Sequence, residues 1–247
     1  MSKNKLTKFA EMEAFPNVFQ CSAQQLQQEG MRYPMRGKWN EKFFGNSNPI
    51  ILELGCGRGE YSVAMAEMFA DKNFIGVDIK GARMWAGAKR GLENGLKNVA
   101  FLRTNIEMLG YFFAENEVSE IWLTFPDPQM KKTTKRLTSI RFLEIYSRFM
   151  VDGGLIHLKT DSNFMFSYTR AMIEKNQFLP HCTIDNIYSA EHNFPLLNIK
   201  TYYEQQWLAR GIDIKYLNFA LPRKAVYSEP EIEIEKDTYR SFGRNLI

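Results

Sequence analysis

The sequence predicts an α/β fold built on a doubly wound parallel sheet, and three observations carry that prediction. Short apolar runs alternate with segments of helical spacing from residue 49 onward. The first run ends in Gly55-Cys56-Gly57-Arg58-Gly59, a glycine-rich turn leading from a strand into a helix. Glu53, Asp78, Asn105, Asp127 and Asp161 all fall at or just after the end of a predicted strand. In such folds ligands bind beyond those strand ends, so five polar side chains gather on the binding edge.

The elements follow in order. Residues 1–48 are polar, basic and aromatic without steady periodicity, and read as an N-terminal extension with one short helix. Ile50 to Leu54 is apolar throughout, as expected of a strand buried on both faces. Tyr61 to Phe69 has helical spacing, Phe74 to Ile79 is a second strand, and residues 81–93 are a second helix. Val99 to Leu102 forms the third strand, residues 106–113 a short helix, and Ile121 to Phe125 the fourth strand. Ile140, Leu143, Tyr146 and Met150 recur at three- and four-residue steps, so a helix follows the basic loop. Gly153-Gly154 punctuates it, and Leu155 to Lys159 is the fifth strand. The α/β domain is therefore expected over 49–222, with a charged tail over 223–247.

Composition narrows the class. With 45% hydrophobic residues, the 247-residue chain can bury a full core. A net charge of +4 permits an anionic partner without requiring one. Cys21, Cys56 and Cys182 are too far apart for a disulfide framework or a metal-ligand spacing, which suits a reducing cytoplasm. His157, His181 and His192 are equally scattered and read as surface or loop residues, so no metal site is expected. No apolar run approaches the ~18 residues of a membrane span. Lys3, Lys5 and Lys8, interrupted by Glu11 and Glu13, lack the apolar core of a secretory signal. A soluble cytoplasmic protein is expected.

Two segments carry chemistry. The glycine turn reads Gly-x-Gly-x-Gly, with Glu53 two residues before the first glycine. Nicotinamide-binding turns need Gly-x-Gly-x-x-Gly. The spacing found here resembles the first motif of S-adenosylmethionine-dependent methyltransferases, whose cofactor is a cation without a pyrophosphate. Carboxylates near such a cation attract it. Asp78 can accept both ribose hydroxyls, and Asn105 can bond the adenine amino group. Each of these residues taken singly reads equally well as a turn or cap residue. Cys56 is a small filler of the turn, with no base nearby in sequence to activate it.

In the second segment, Phe125-Pro126-Asp127-Pro128, both prolines lack the donor a central strand needs, so the strand stops and Asp127 is held rigidly. Lys131, Lys132, Lys135 and Arg136 follow at once. A charge run is often a solvated helix face. Beside a fixed acid on the ligand edge, these cations are read as phosphate contacts, which position a nucleic acid without reading its sequence.

Taken together the motifs resemble the bacterial tRNA (guanine-N7-)-methyltransferases over roughly residues 50–220. Glu53 to Glu60 is similar to the family's cofactor turn, and Phe74 to Lys80 to its second motif, with Asp78 where Glu is usual. Phe125-Pro126-Asp127-Pro128 with the following cations resembles its signature loop. Lys159-Thr160-Asp161 and Thr201-Tyr202-Tyr203-Glu204, before Trp207 and Arg210-Gly211, resemble its Lys-Thr-Asp and Thr-x-x-Glu motifs. Departures are Gln129-Met130 for Trp-Pro, Thr133-Thr134 for Arg-His, and Asn105 for Asp.

The resemblance implies a Rossmann-like class I methyltransferase with a mostly parallel, seven-stranded sheet. S-adenosylmethionine would be the donor and N7 of a guanosine in the tRNA variable loop the acceptor. By the same resemblance, Glu53, Gly55, Gly57, Gly59, Asp78, Asn105 and Asp127 contact the cofactor, and Asp127 is the catalytic residue. Lys131, Lys132, Lys135, Arg136, Asp161 and Thr201 to Glu204 would hold the substrate. Apart from the resemblance, a monomer or homodimer is expected in preference to an obligate complex. Thr201 and Glu204 also have capping-box spacing, so a plain helix start explains them as well. Phe9, Phe15, Phe19, Arg32, Tyr33, Arg36 and Lys38 either touch RNA or pack on the domain. Competing readings are a methyltransferase with another acceptor, which needs no basic loop, and a non-catalytic RNA-binding module, which needs no acidic set.

Overall fold

Alternating strands and helices make one eight-stranded sheet with helices packed against it. The computed structural model describes residues 3–223 and 226–239. In chain order, α1 (Lys3–Ala14), β1 (Val18–Gln20), α2 (Ala23–Gln28) and one π turn (Asn40–Phe44) precede the predicted alternation. Then come β2 (Ile50–Leu54), α3 (Glu60–Met68), β3 (Asn73–Asp78), α4 (Gly81–Glu93), β4 (Val99–Arg103) and β5 (Val118–Thr124). After these follow α5 (Ile140–Tyr146), β6 (Met150–Thr160), α6 (Asn163–Asn176), β7 (Pro180–Ile184), α7 (Tyr202–Leu208) and β8 (Lys215–Leu221). The sheet order is β1-β4-β3-β2-β5-β6-β8-β7. All pairings from β1 to β6 are parallel, and β8 runs antiparallel between β6 and β7.

This arrangement places the site. The chain first winds outward from β2 through β3 to β4, then returns to β5 on the other side of β2. The carboxyl ends of β2 and β5 flank the point where the winding reverses, and a crevice opens there. Ile50 to Leu54 are all buried, as are Phe74 to Val77 and Val99 to Leu102. Burial on both faces explains why these strands read as unbroken apolar runs.

Several expectations need correction. The sheet has eight strands, not seven, because β1 adds a parallel edge strand beside β4 with Val18 opposite Phe101. Asn17 secures it: its carbonyl accepts from Phe101 N at 2.8 Å, and its side chain donates to the Ala88 carbonyl at 3.0 Å. The aromatic residues before β2 pack on the domain. Phe19 meets Trp39 edge-on, Tyr33 lies against Trp39 and Phe112, and the Arg103 guanidinium sits 4.7 Å over Phe9. The helix expected to run to Met150 ends at Tyr146, and Met150 begins β6, which continues through Gly153 and Gly154. A Cβ at Gly154 would come within 2.9 Å of the Ser119 carbonyl, so the glycine admits the neighbouring strand instead of ending the element. The helix expected at 106–113 is a 3₁₀ turn, Ile106–Tyr111.

His157 is neither on the surface nor in a loop. It lies buried in β6, stacked 4.1 Å from Trp122, with Nδ1 2.8 Å from the Tyr216 hydroxyl. Residues 226–239 lie against α6: Tyr227 packs edge-on to Phe178, and Ser228 exchanges hydrogen bonds with Asn176. The rest of the expected tail, 224–225 and 240–247, and residues 1–2 of the expected extension lie outside the described residues.

Candidate active site

The glycine turn between β2 and α3 uses its glycines in two ways. Gly55 and Gly57 have φ of 79° and 56°, and a Cβ at either would meet no side chain within 4 Å, so both border open space. Gly59 also has positive φ, but a Cβ there would lie 2.5 Å from the Phe101 ring and 3.1 Å from Gly87. Gly55 and Gly57 give a ligand access to the backbone, whereas Gly59 lets α3 and α4 approach each other. Asp78, at the end of β3, locks the turn by accepting from Gly57 N at 2.9 Å and Lys80 N at 2.7 Å.

Glu53 is the buried anchor beneath the turn. One carboxylate oxygen accepts from the Ser62 amide and hydroxyl, and the other from the Thr124 hydroxyl at 2.6 Å. Burial pushes its pKa up to about 7, against the opposing pull of the Ser62 and Thr124 hydrogen bonds.

Two cavities meet at Gly55 and Asp78. One, of about 250 Å³, is lined by Glu53, Arg58, Thr124, Phe125, Tyr203 and Trp207 among others. The second, of about 360 Å³, is lined by Asn105, Ile106, Asp127, Gln129, Leu137 and Phe142 among others. The fold thus gathers Glu53, Gly55, Asp78, Asn105 and Asp127 around two cavities that share Gly55 and Asp78. Their chemistry fits S-adenosylmethionine: apolar walls with Asn105 suit a planar base, Asp78 suits a diol, and carboxylates suit a sulfonium.

The proline loop holds Asp127 under backbone strain. Phe125 and Gln129, on either side of Pro126-Asp127-Pro128, have φ of 52° and 47°, a region that non-glycine residues seldom occupy. Phe125 N donates to the Lys159 carbonyl at 2.8 Å, and Gln129 N donates to the Asp127 carboxylate at 3.0 Å. The Asp127 side chain is otherwise exposed at the cavity wall.

The four cations after the loop divide. Arg136 is buried, with its guanidinium 4.7 Å from Phe164 and 4.4 Å from Tyr168. It donates to the carbonyls of Gln129 and Met130 and so braces the loop from beneath. Lys135 pairs with Glu107 at 3.1 Å. Lys131 and Lys132 are exposed and share a cavity of about 490 Å³ with Asp127 and Lys236. Lys135 also borders the cavity that Asp78, Asn105 and Asp127 line.

The two late motifs are bound to each other. Lys159, fully buried at the end of β6, donates to the carbonyls of Leu197 and Ile199 and to Glu204. Glu204, also fully buried, accepts in addition from the Tyr188 hydroxyl and from Thr201 N. Burial lowers the Lys159 pKa, and Glu204 pulls it back up. Thr201 and Glu204 close a capping box at the start of α7, as their spacing allowed. Asp161 is buried next to Lys159-Thr160 and accepts from the Tyr239 hydroxyl at 2.8 Å.

Sequence reading did not single out Thr124, Arg83, Leu137 or Phe142 as lining residues. Thr124 carried a signal, a hydroxyl ending an apolar strand. The others sit within ordinary helix or loop patterns and declare themselves only once the chain is folded. Among the described residues, no cluster of three or more His, Cys, Asp or Glu could hold a metal ion, and no helix is long and apolar enough to cross a membrane.

Comparison with known proteins agrees with this geometry. A family model described as "Putative methyltransferase" matches residues 47–217. The tRNA (guanine-N(7)-)-methyltransferase of Bacteroides fragilis is 58% identical over 245 residues, covering 99% of this chain and 96% of the relative. The enzyme of the same name from Porphyromonas gingivalis is 56% identical, covering 95% and 97%. That from Geobacillus kaustophilus is 36% identical, covering 71% and 80%. Among solved structures, the 16S rRNA methyltransferase KamB superposes with a TM-score of 0.57 at 12% identity, covering 74% of this chain and 92% of that one. At that identity the likeness speaks to the fold, a class I methyltransferase sheet.

Proposed function

The chain belongs to the tRNA (guanine-N7-)-methyltransferase family, and from that premise we propose how its own residues carry the reaction. The protein transfers a methyl group from S-adenosylmethionine to N7 of a guanosine in tRNA; we place that guanosine in the variable loop. When bound, the cofactor supplies a methyl group on a positively charged sulfur. Glu53, Gly55, Gly57, Asp78 and Asn105 would hold it, with Gly59 keeping the turn in shape.

Guanine N7 has a lone pair and no proton to lose, so the site needs no strong general base. What it needs is alignment, and a rigid site can supply several kcal/mol of the acceleration, up to about 7–11 in the best cases. Asp127 is suited to that task. Two prolines and two left-handed residues fix its backbone, and the Gln129 amide holds one carboxylate oxygen. A fixed carboxylate stabilises positive charge as it spreads over the purine, without reorganising during the step. Lys131 and Lys132 would take RNA phosphates. Arg136 supports the loop, and Lys159 with Glu204 supports the segment before α7. Asp161 or Glu204 would accept from the N1–H and exocyclic amine of guanine, an edge adenine does not offer; both are buried, and Asp161 would have to exchange the Tyr239 hydroxyl for the base.

The observation that carries this reading is that Asp127 lines the same cavity as Asp78 and Asn105. The test is mass spectrometry of nucleosides and of nuclease fragments from unmodified tRNA transcripts incubated with protein and S-adenosylmethionine. Formation of 7-methylguanosine in the variable loop is expected, and Asp127→Ala should lower kcat at least about 100-fold even at saturating S-adenosylmethionine. Absence of the product would overturn the reading, and its appearance elsewhere in the tRNA would overturn the position. The three free cysteines suit a cytoplasmic setting, and we read the active form as a monomer or homodimer.

A further inference from the structure

A second surface at the mouth of the site has the chemistry of an RNA contact. Tyr202 and Tyr203 open α7 and are 47% and 39% exposed, two adjacent aromatic residues on the surface. Their rings meet edge-to-face at 5.7 Å. Each ring carries an arginine from a different element: Arg58 of the glycine turn lies 5.4 Å over Tyr202, and Arg83 of α4 lies 5.9 Å over Tyr203. Tyr203, Arg58 and Arg83 line the same cavity as Glu53 and Phe125. None of them lines the cavity that holds Lys131 and Lys132. The pair of tyrosines is fastened to the cofactor turn by Tyr202 N, which donates to Glu60 at 3.0 Å.

Exposed aromatic rings alternating with guanidinium groups are what a single-stranded nucleic acid recognises: a base stacks on the ring, and the cation takes the adjoining phosphate. The glycine turn and α4 need neither arginine for their own hydrogen bonding, since Arg58 makes only an exposed ion pair at 3.8 Å with Glu60. We propose that Tyr203 and Tyr202 form a stacking shelf for the nucleotide adjoining the target guanosine. Arg83 and Arg58 hold that nucleotide's phosphates. This inference rests on the reading of the protein as a tRNA guanine-N7 methyltransferase. It assigns the grip on the neighbouring nucleotide to residues outside the basic loop.

The test couples protein to RNA. Affinity for tRNA is measured by fluorescence anisotropy, and KM and kcat by methyl transfer, for wild type, Tyr203→Leu, Tyr203→Phe and Arg83→Ala. Tyr203→Leu should weaken tRNA binding and raise KM for tRNA roughly tenfold to a hundredfold; because Tyr203 also borders the cofactor cavity, tRNA affinity is measured without S-adenosylmethionine. Tyr203→Phe should restore the affinity, because a phenyl ring stacks as a phenol does. Arg83→Ala should reduce the salt dependence of binding by about one ion. An abasic site beside the target guanosine should cost wild type as much as Tyr203→Leu does, and should cost the Tyr203→Leu variant nothing further. Unchanged RNA affinity in Tyr203→Leu, or abasic and Leu penalties that simply add, would overturn the shelf. If wild type forms no 7-methylguanosine, the functional reading fails separately, and the anisotropy arm still decides the shelf.

Discussion

Glu53 shows how a single buried carboxyl sets the character of the site. Its oxygens are taken by Ser62 and Thr124, and its pKa stands at about 7 against an ordinary 4.5. The folded value lies above the unfolded one. Its contribution to stability is therefore complete below about pH 4.5 and is lost as pH rises through 7. Between pH 5 and pH 8 the protein without cofactor should lose about 2 kcal/mol from this group alone. Glu53→Gln should flatten that part of the profile, which denaturant unfolding across the range would measure. An unchanged slope in the variant would show that Glu53 is not the titrating group. A cation entering the cavity reverses the balance, because it favours the ionised form that the empty pocket disfavours.

At the scale of elements, the Lys159–Glu204 pair joins the end of β6 to the segment that leads into α7. The two groups lie 2.8 Å apart with neither exposed, and Lys159 also binds two backbone carbonyls. Removing one partner leaves a buried charge, so Lys159→Met should cost about 3–5 kcal/mol and lower Tm by roughly 10 °C. Adding Glu204→Leu to Lys159→Met should recover part of the loss, because the uncompensated charge goes too. Recovery would be read by calorimetry, and none at all would mean the pair is not the brace described. The pair also shows how far sequence reaches. Lysine in an apolar strand is visible as an anomaly, but its partner lies 45 residues away and only the fold joins them. The core strands were legible because burial on both faces leaves an apolar run. The three-residue β1 is too short to carry any periodicity. Gly55, Asp78, Asn105 and Asp127 were legible as strand ends, since parallel winding delivers those ends to one edge. The inward turn of Arg136 was not, because it depends on Phe164 and Tyr168 from a helix that sequence places only by number.

Across the whole molecule, the stretch from 226 to 239 returns to the substrate side of the sheet and fastens there. Asp237 is buried at the start of α6, where one oxygen accepts from the Ser162 hydroxyl and the other from Phe164 N at 3.1 Å. Ser162 in turn caps α6 by accepting from Met165 N at 2.9 Å. Asp237 thus acts as a second cap, placed at the helix N-terminus where a negative charge is favourable. Two residues on, the Tyr239 hydroxyl donates to Asp161, one of the two carboxylates proposed for guanine. The same fastening therefore serves stability and the site. Asp237→Ala leaves the Phe164 amide and the Ser162 hydroxyl without their acceptor, and should destabilise the protein by about 1–3 kcal/mol. It should also free Asp161 from Tyr239 and raise KM for tRNA, while S-adenosylmethionine affinity stays near wild type because Asp78 and the glycine turn are untouched. Tyr239→Phe separates the two effects: it keeps the helix cap and removes only the hydroxyl that bonds the Asp161 carboxylate and carbonyl, so it should move KM with a smaller loss of Tm than Asp237→Ala. If Tyr239→Phe leaves KM for tRNA where it was, the segment serves α6 alone and has no part in positioning the substrate.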